Sequence, residues 1–442
     1  MDMKLIFIFS LFILAIDIHA DIKNYVAKED NTYAWKVLHE KEYKIGYRGY
    51  LIELNSQTWH NIKWTHKLRI VIPEECIGKP SNTLLIIGGT YKKDKERNDK
   101  AEKYGVIVAE KTKSPVAMLY DVPFQPLFGG LTEDRLLAET FERYRKTKDE
   151  TWPIIFPMVK ASVKAIDCMK EVLLEKTKII QKGVFVTGPS KRGWTTWFMP
   201  IVDKRVIAIA PMVYDNLNIS KQLDNQLAMW GKYSERISAY TNKNLPQKLK
   251  KKDKELLKLV KMIDPYEYVK ELTVPKLLVN GTNDRFWALD SLSVYFDDLP
   301  GSNYLYYAAN ARHNLREGKD ETISTIASFY NFIDGKNDFP DIKASYKKTP
   351  VKVIAKCRVE GDPWEVLLMK AVSNTKDFRE SKWSEILVEK ENHFYKTKVE
   401  IPKDKYIALY FQVIYNIEEE DVLRSSRIHI ASWGEKKMPK SD

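Results

Sequence analysis

Val186-Thr187-Gly188-Pro189-Ser190-Lys191-Arg192-Gly193-Trp194 is the stretch from which the rest of the chain can be read. It follows a β-rich run at 183–187 and leads into an expected helix over about 192–199. A serine on so tight a strand-to-helix turn presents its Oγ above the sheet edge, where a helix N-terminus favours developing negative charge. The flanking positions must be small because the backbone reverses there. Gly188 meets this two residues before Ser190. Two residues after it stands Arg192, and glycine comes one later at Gly193, so the turn reads G-x-S-x-x-G where G-x-S-x-G is usual. Alone, the motif is equally compatible with a serine in a helix cap.

Working outward, 82–87 reads as a buried strand, apolar from Leu84 to Ile87 and ending in Gly88-Gly89, and 105–110, 115–120 and 206–212 read as further buried strands. A helix is expected from Thr132 through Tyr144, with Glu133 and Asp134 in its first turn. Val159, Val163, Ile166 and Leu173 recur at helical spacing. Strands at 276–280 and 304–309 then alternate with helices at 290–296 and 321–332. Such alternation predicts an α/β domain over 21–338, with N-terminal strands in 21–80 and then a mostly parallel sheet carrying helices on both faces. An insertion or lid at 215–262 includes a basic stretch whose Leu249, Leu256, Val260 and Ile263 form one apolar stripe, as on an amphipathic surface helix or, alternatively, a lid or partner-binding helix. Beyond the turn-rich 335–338 only β-rich runs follow, which predicts a small antiparallel sandwich over 345–442.

A nucleophile elbow needs an acid and then a histidine, each just past a later strand. Asp284 follows the strand at 276–280 and His313 follows the one at 304–309. Of seven histidines, His19, His39, His60 and His66 fall in the leader or the N-terminal strands, and His393 and His429 in the sandwich. His313 is therefore the one placed to act as base, with Asp290 as a rival acid that also reads as a helix cap. In that chemistry His313 takes the Ser190 proton and Asp284 holds the imidazole. The oxyanion is met by the backbone N–H of Lys191 and by the turn at Gly88-Gly89-Thr90-Tyr91, with Gly89 and Thr90 as candidate donors. Neither metal nor organic cofactor is needed.

Composition bounds the rest. A chain of 442 residues with 44% hydrophobic and 12% aromatic residues has ample material for large cores, which excludes a disordered chain or a coiled coil. The net charge of +12 is a mild bias, and no zinc-finger spacing, RNP pattern or basic zipper points to nucleic acid. Residues 1–20 carry one lysine, an apolar run of about a dozen residues and a terminal Ala20. This is the pattern of a cleaved signal peptide, too short to span a bilayer, so a secreted chain without a stable membrane anchor is expected. Three scattered cysteines, Cys76, Cys168 and Cys357, allow at most one bridge and form no metal cluster.

The stretch 186–197 (VTGPSKRGWTTW) resembles the signature of the PhoPQ-activated pathogenicity-related family, which includes the autocrine proliferation repressors of social amoebae. Further matching stretches are 56–59, 129–134 (GGLTED), 264–266, 275–284 (PKLLVNGTND), 295–301 and 376–379. The resemblance spans about 25–430 and implies an α/β-hydrolase domain with a C-terminal immunoglobulin-like sandwich. Pro189 departs from the alanine expected in that signature. The resemblance implies either a secreted serine hydrolase or an extracellular growth-restraining signal acting on a cell-surface receptor. The G-x-S-basic-x-G turn also resembles that of glucuronoyl esterases, where the basic residue assists the oxyanion, a part that Lys191 would play here on an ester. Similarity to prolyl-oligopeptidase-type hydrolases favours a peptide.

Overall fold

The computed structural model describes residues 21–76, 81–92, 100–335, 339–392, 394–417 and 420–434. The leader expected over 1–20 lies outside the described residues. After a short helix α1 (Ile22–Ala27), three long antiparallel strands follow: β1 (Ala34–Lys44), β2 (Tyr47–Trp59) and β3 (Ile62–Pro73). β1 alternates half-buried and exposed side chains, as an edge strand with one wet face should.

The α/β part comprises β4 (Ser81–Ile86), α2 (Lys100–Thr112), β5 (Val116–Leu119), α3 (Glu133–Thr147), α4 (Ile155–Thr177), β6 (Gly183–Pro189), α5 (Lys191–Val202) and β7 (Val206–Met212). Four helices succeed β7: α6 (Ile219–Trp230), α7 (Ser238–Thr241), α8 (Leu245–Lys250) and α9 (Lys254–Ile263). Then come β8 (Lys276–Gly281), β9 (Asn303–Ala308) and α10 (Lys319–Asp334). One nine-stranded sheet runs in the order β1-β2-β3-β5-β4-β6-β7-β8-β9, antiparallel as far as β5 and parallel beyond it. Helices α1, α4 and α5 cover one face, while α2 and α10 pack together on the other. Covered on both faces, the central strands β4, β6 and β8 bury nearly every residue, polar ones included. This is the α/β-hydrolase fold.

The expected strand at 105–110 is instead the second half of α2. Val108 and Ala109 are buried in a small cluster with Val116 and Met118 of β5. A short apolar run does not separate a buried strand from the buried face of a helix. Likewise the expected helix at 290–296 is two 3₁₀ turns, Ser291–Val294 and Phe296–Asp298. Cys76, Cys168 and Cys357 are all buried free thiols. No helix among the described residues is long and apolar enough to cross a membrane.

The C-terminal part is an antiparallel sandwich of two sheets. One holds β10 (Ile342–Lys348), β11 (Lys352–Val359), β14 (Glu389–Glu391) and β15 (Phe394–Glu400). The other holds β12 (Glu365–Ser373), β13 (Ser384–Leu387), β16 (Tyr406–Ile417), β17 (Glu420–Ser425) and β18 (His429–Ser432). Its apolar interior is continuous with that of the α/β part: Phe185, Leu277 and Tyr306 share one buried cluster with Val353, Leu409 and Phe411. Trp383 is 2% exposed and belongs to the cluster of the α/β part, whereas Trp364 is 77% exposed. Hydrogen bonds seal the junction, with the Tyr307 N–H donating to Ser425 Oγ and the Leu423 N–H to Thr325 Oγ1.

Because that interior is shared, truncation after Asp338 is expected to give an insoluble or markedly less stable α/β domain, read as soluble yield and melting temperature. Trp383→Ala in the full chain should cost about 3–5 kcal/mol in a denaturant titration, the range for a large buried aromatic.

Candidate active site

β6 lies between β4 and β7 at the centre of the parallel region, and the chain reverses immediately after it. Ser190 takes φ +58° and ψ −126°, a conformation that L-residues rarely adopt. It is held there from both sides: its N–H donates to Met212 O on β7 at 2.8 Å, and its carbonyl accepts from Trp194 N at 3.0 Å to start α5. The two small residues are needed for close approach. A Cβ on Gly188 would lie 2.9 Å from Ile86 O, and one on Gly193 would lie 2.8 Å from Met212 O. The turn therefore uses Gly193, three after the serine, where the common motif uses the position two after it.

Ser190, His313 and Asp284 meet above the C-terminal ends of β6, β8 and β9. His313 Nε2 is 2.9 Å from Ser190 Oγ, and His313 Nδ1 is 2.7 Å from Asp284 Oδ2. The other oxygen of Asp284 accepts from the Phe286 N–H at 2.8 Å, which fixes the carboxylate's orientation. Phe286 packs on the imidazole with ring centroids 4.1 Å apart. The rival acid Asp290 instead accepts from the side chain of Asn225 on α6. Behind Asp284 sits Asp215, which the sequence did not single out. It is buried, accepts from Tyr295 Oη at 2.6 Å, and burial lifts its carboxyl to about 7.

Arg192 occupies the consensus glycine position, and its side chain is a buried strut. The guanidinium grips Glu133 with two bonds of 2.7 and 2.9 Å and donates Nε to Val122 O. It also lies flat under Gly88, where a Cβ would come within 2.3 Å of Nη2. Gln125 continues the chain of contacts: its side-chain N–H donates to Gly89 O and to Glu133, and its carbonyl accepts from the Glu133 N–H. The elbow helix, the Gly88–Tyr91 turn and the start of α3 are thus one hydrogen-bonded unit. Lys191 Nζ is committed to Glu133 and Asp134 at 2.8 and 3.3 Å, so its ammonium belongs to this network and not to the assisting role suggested by the glucuronoyl esterase likeness. Burial alone would raise the Glu133 carboxyl, but Arg192 and Lys191 hold it well below the usual carboxylate range.

The sandwich reaches into the site through the loop between β12 and β13. Asn283, next to Asp284, donates to Ser381 O at 2.7 Å. Asn310, on the loop carrying His313, donates to Trp383 O at 3.2 Å and accepts from the Trp383 N–H at 2.8 Å. Glu380 bridges Arg285 and Arg312, one neighbour of the acid and one of the histidine.

Beside Ser190 opens a pocket of about 120 Å³. Its back wall is aromatic: Trp194 stacks on Tyr214, which meets Trp287 edge-on. Its cover comes from α6 to α9, and the predicted stripe of Leu249, Leu256, Val260 and Ile263 faces this pocket. Trp194 Nε1 ties the elbow helix to that cover through Ile263 O at 2.7 Å.

Two outcomes follow. Glu133 has a depressed carboxyl, so its contribution to stability is complete above its unfolded value of about 4.3 and is lost as pH falls below it. The melting-temperature gap between wild type and Glu133→Gln should therefore be widest near neutrality and should narrow as pH falls from about 5 toward 3. Asn310→Ala frees the histidine loop from the sandwich and should slow reaction of Ser190 with an active-site phosphonylating probe about tenfold at unchanged far-UV circular dichroism, consistent with the sensitivity of such geometry.

The sequence model described as PhoPQ-activated pathogenicity-related protein matches residues 22–379. Autocrine proliferation repressor protein A of Dictyostelium discoideum is 28% identical over 344 residues, spanning 75% of this chain and 68% of that protein. Among solved structures, an acetyl xylan esterase from Paenibacillus sp. R4 aligns with TM-score 0.47 and 10% identity, covering 71% of this chain and 92% of the other. Acetyl xylan esterase 1 from Thermoanaerobacterium sp. JW/SL YS485 aligns with TM-score 0.40 and 11% identity over 70% and 94%. With the family match running from the first N-terminal helix through the elbow to the loop that clasps the acid and histidine turns, this chain belongs to the PhoPQ-activated pathogenicity-related family.

Proposed function

We propose that the protein is a secreted serine hydrolase that cleaves a carboxylic ester or peptide bond through an acyl-enzyme on Ser190. The observation that carries this is the hydrogen-bonded series Ser190 Oγ, His313 Nε2, His313 Nδ1, Asp284 Oδ2, at 2.9 and 2.7 Å. His313 accepts the Ser190 proton as Oγ attacks the carbonyl carbon, then returns it to the leaving group; water repeats the sequence to release the acid. Asp284 keeps Nδ1 protonated and balances the imidazolium charge. The tetrahedral oxygen takes hydrogen bonds from the Lys191 N–H at the head of α5 and from the turn containing Gly89 and Thr90, which the Arg192–Glu133 unit keeps at a fixed distance from the elbow. Secretion rests on the character of residues 1–20, and mass spectrometry of protein from the medium should find a mature chain beginning near Asp21.

A fluorophosphonate should label the wild type on one residue and leave Ser190→Ala unlabelled. His313→Ala should slow labelling by about 10²–10⁴-fold. Failure of the folded wild type to label would overturn the reading. The name of the Dictyostelium relative, an autocrine proliferation repressor, supports a second role, restraint of cell proliferation, for which we propose a cell-surface receptor as partner. In a proliferation assay, equal potency of wild type and Ser190→Ala would assign that role to binding alone, since a fold does not establish activity.

A further inference from the structure

We infer that the pocket beside Ser190 is the specificity site of this hydrolase, built for an uncharged apolar group of about six carbons carried next to the scissile bond. The inference rests on the serine-hydrolase reading. Three features of the pocket point to it, and the first is position. Ser190 itself, Lys191 and Trp194 of the elbow helix form part of the wall, so a substrate held by the nucleophile must place a neighbouring group there. The imidazole side is closed by Phe286 and Trp287.

The second feature is chemistry. Apart from the nucleophile, the lining is dominated by aliphatic and aromatic side chains: six aromatic residues, among them Phe141, Trp194, Tyr214 and Trp287, and leucines of α6, α8 and α9. Among the described lining residues the charged ones are Asp134 and Lys191, and they pair with each other at 3.3 Å. Tyr240 adds a further hydrogen bond to Asp134. A charged substrate group entering here would lose its water and find no free counter-charge, whereas an apolar group loses nothing.

The third feature is size. A cavity of about 120 Å³ is slightly smaller than the roughly 150 Å³ apolar cavity known to accept benzene. That room suits a hexyl chain or a leucyl or phenylalanyl side chain, is mostly unused by an acetyl group, and is too small in volume to enclose a twelve-carbon chain. The cover is a helical insertion after β7, so the selectivity belongs to residues outside the elbow, the acid and the histidine.

The test uses alkyl fluorophosphonates with methyl, propyl, hexyl, dodecyl and 5-carboxypentyl chains on the full-length protein, which makes the result independent of whether the natural bond is ester or amide. In each, the Ser190 Oγ–P bond forms, the P–F bond breaks, fluoride departs and His313 accepts the hydroxyl proton. Intact-mass kinetics should show hexyl labelling at least tenfold faster than methyl, with dodecyl and 5-carboxypentyl both slower than hexyl. Leu223→Trp and Val260→Trp, two partly exposed lining positions whose enlargement fills the cavity, should each bring the hexyl-to-methyl ratio to within about twofold of one. Rates independent of chain length, a steady rise to dodecyl, or 5-carboxypentyl matching hexyl would overturn the specificity assignment while leaving the nucleophile intact. Absence of labelling at every length would overturn the nucleophile reading, and this inference with it.

Discussion

The backbone of Ser190 is the constraint around which the molecule is arranged. A residue at φ +58° between a buried strand and a buried helix holds that conformation only if its surroundings leave it no other. The surroundings here are β7, which accepts the serine N–H, and two glycines pressed against neighbouring carbonyls. The consequence is directional. With the N–H turned into the sheet and the carbonyl into α5, the side chain has to stand clear of both, in reach of whatever the loops after β8 and β9 present. The histidine and the carboxylate are where they are because the sheet puts those loops side by side.

Arg192 and Glu133 illustrate how a pair of charges fixes geometry at little gain in stability. Removing a guanidinium from water is costly, and its attraction to a carboxylate typically does little more than offset that cost. Its value lies in shape. The planar fork of arginine accepts one orientation of the carboxylate, and its flat face fits beneath a glycine where any side chain would collide. A rigid spacer of that kind keeps the turn after β4 in register with the elbow.

Much of this was legible in the sequence, for reasons that differ by element. Strands buried on both faces announce themselves as apolar runs, and punctuation by Gly88-Gly89 and Gly188 marks their C-terminal ends, so Ser190, Asp284 and His313 could be picked from order alone. The run at 105–110 reads as a strand in the sequence yet lies in a helix, because four apolar residues, Val106 to Ala109, fit a strand or a helix face equally well. Arg192 looked like a defect in the motif, since its partner Glu133 lies 59 residues away and only the fold brings them together. The stripe over α8 and α9 is equally compatible in sequence with a surface face or a lid, because periodicity shows that a face is apolar, not what it is packed against.

The clasp made by the loop between β12 and β13 sets an order of events. Asn283 and Asn310 hold the acid and histidine loops to backbone groups at 381 and 383, some 70 to 98 residues further along the chain. During synthesis the elbow, the sheet and the covering helices all emerge before those anchoring groups exist. The loops that carry the acid and the histidine therefore depend for two of their side-chain contacts on groups that the chain supplies late. The C-terminal domain is thus part of the frame of the site, since two of the loops that carry its chemistry are tied to it and not only to the sheet.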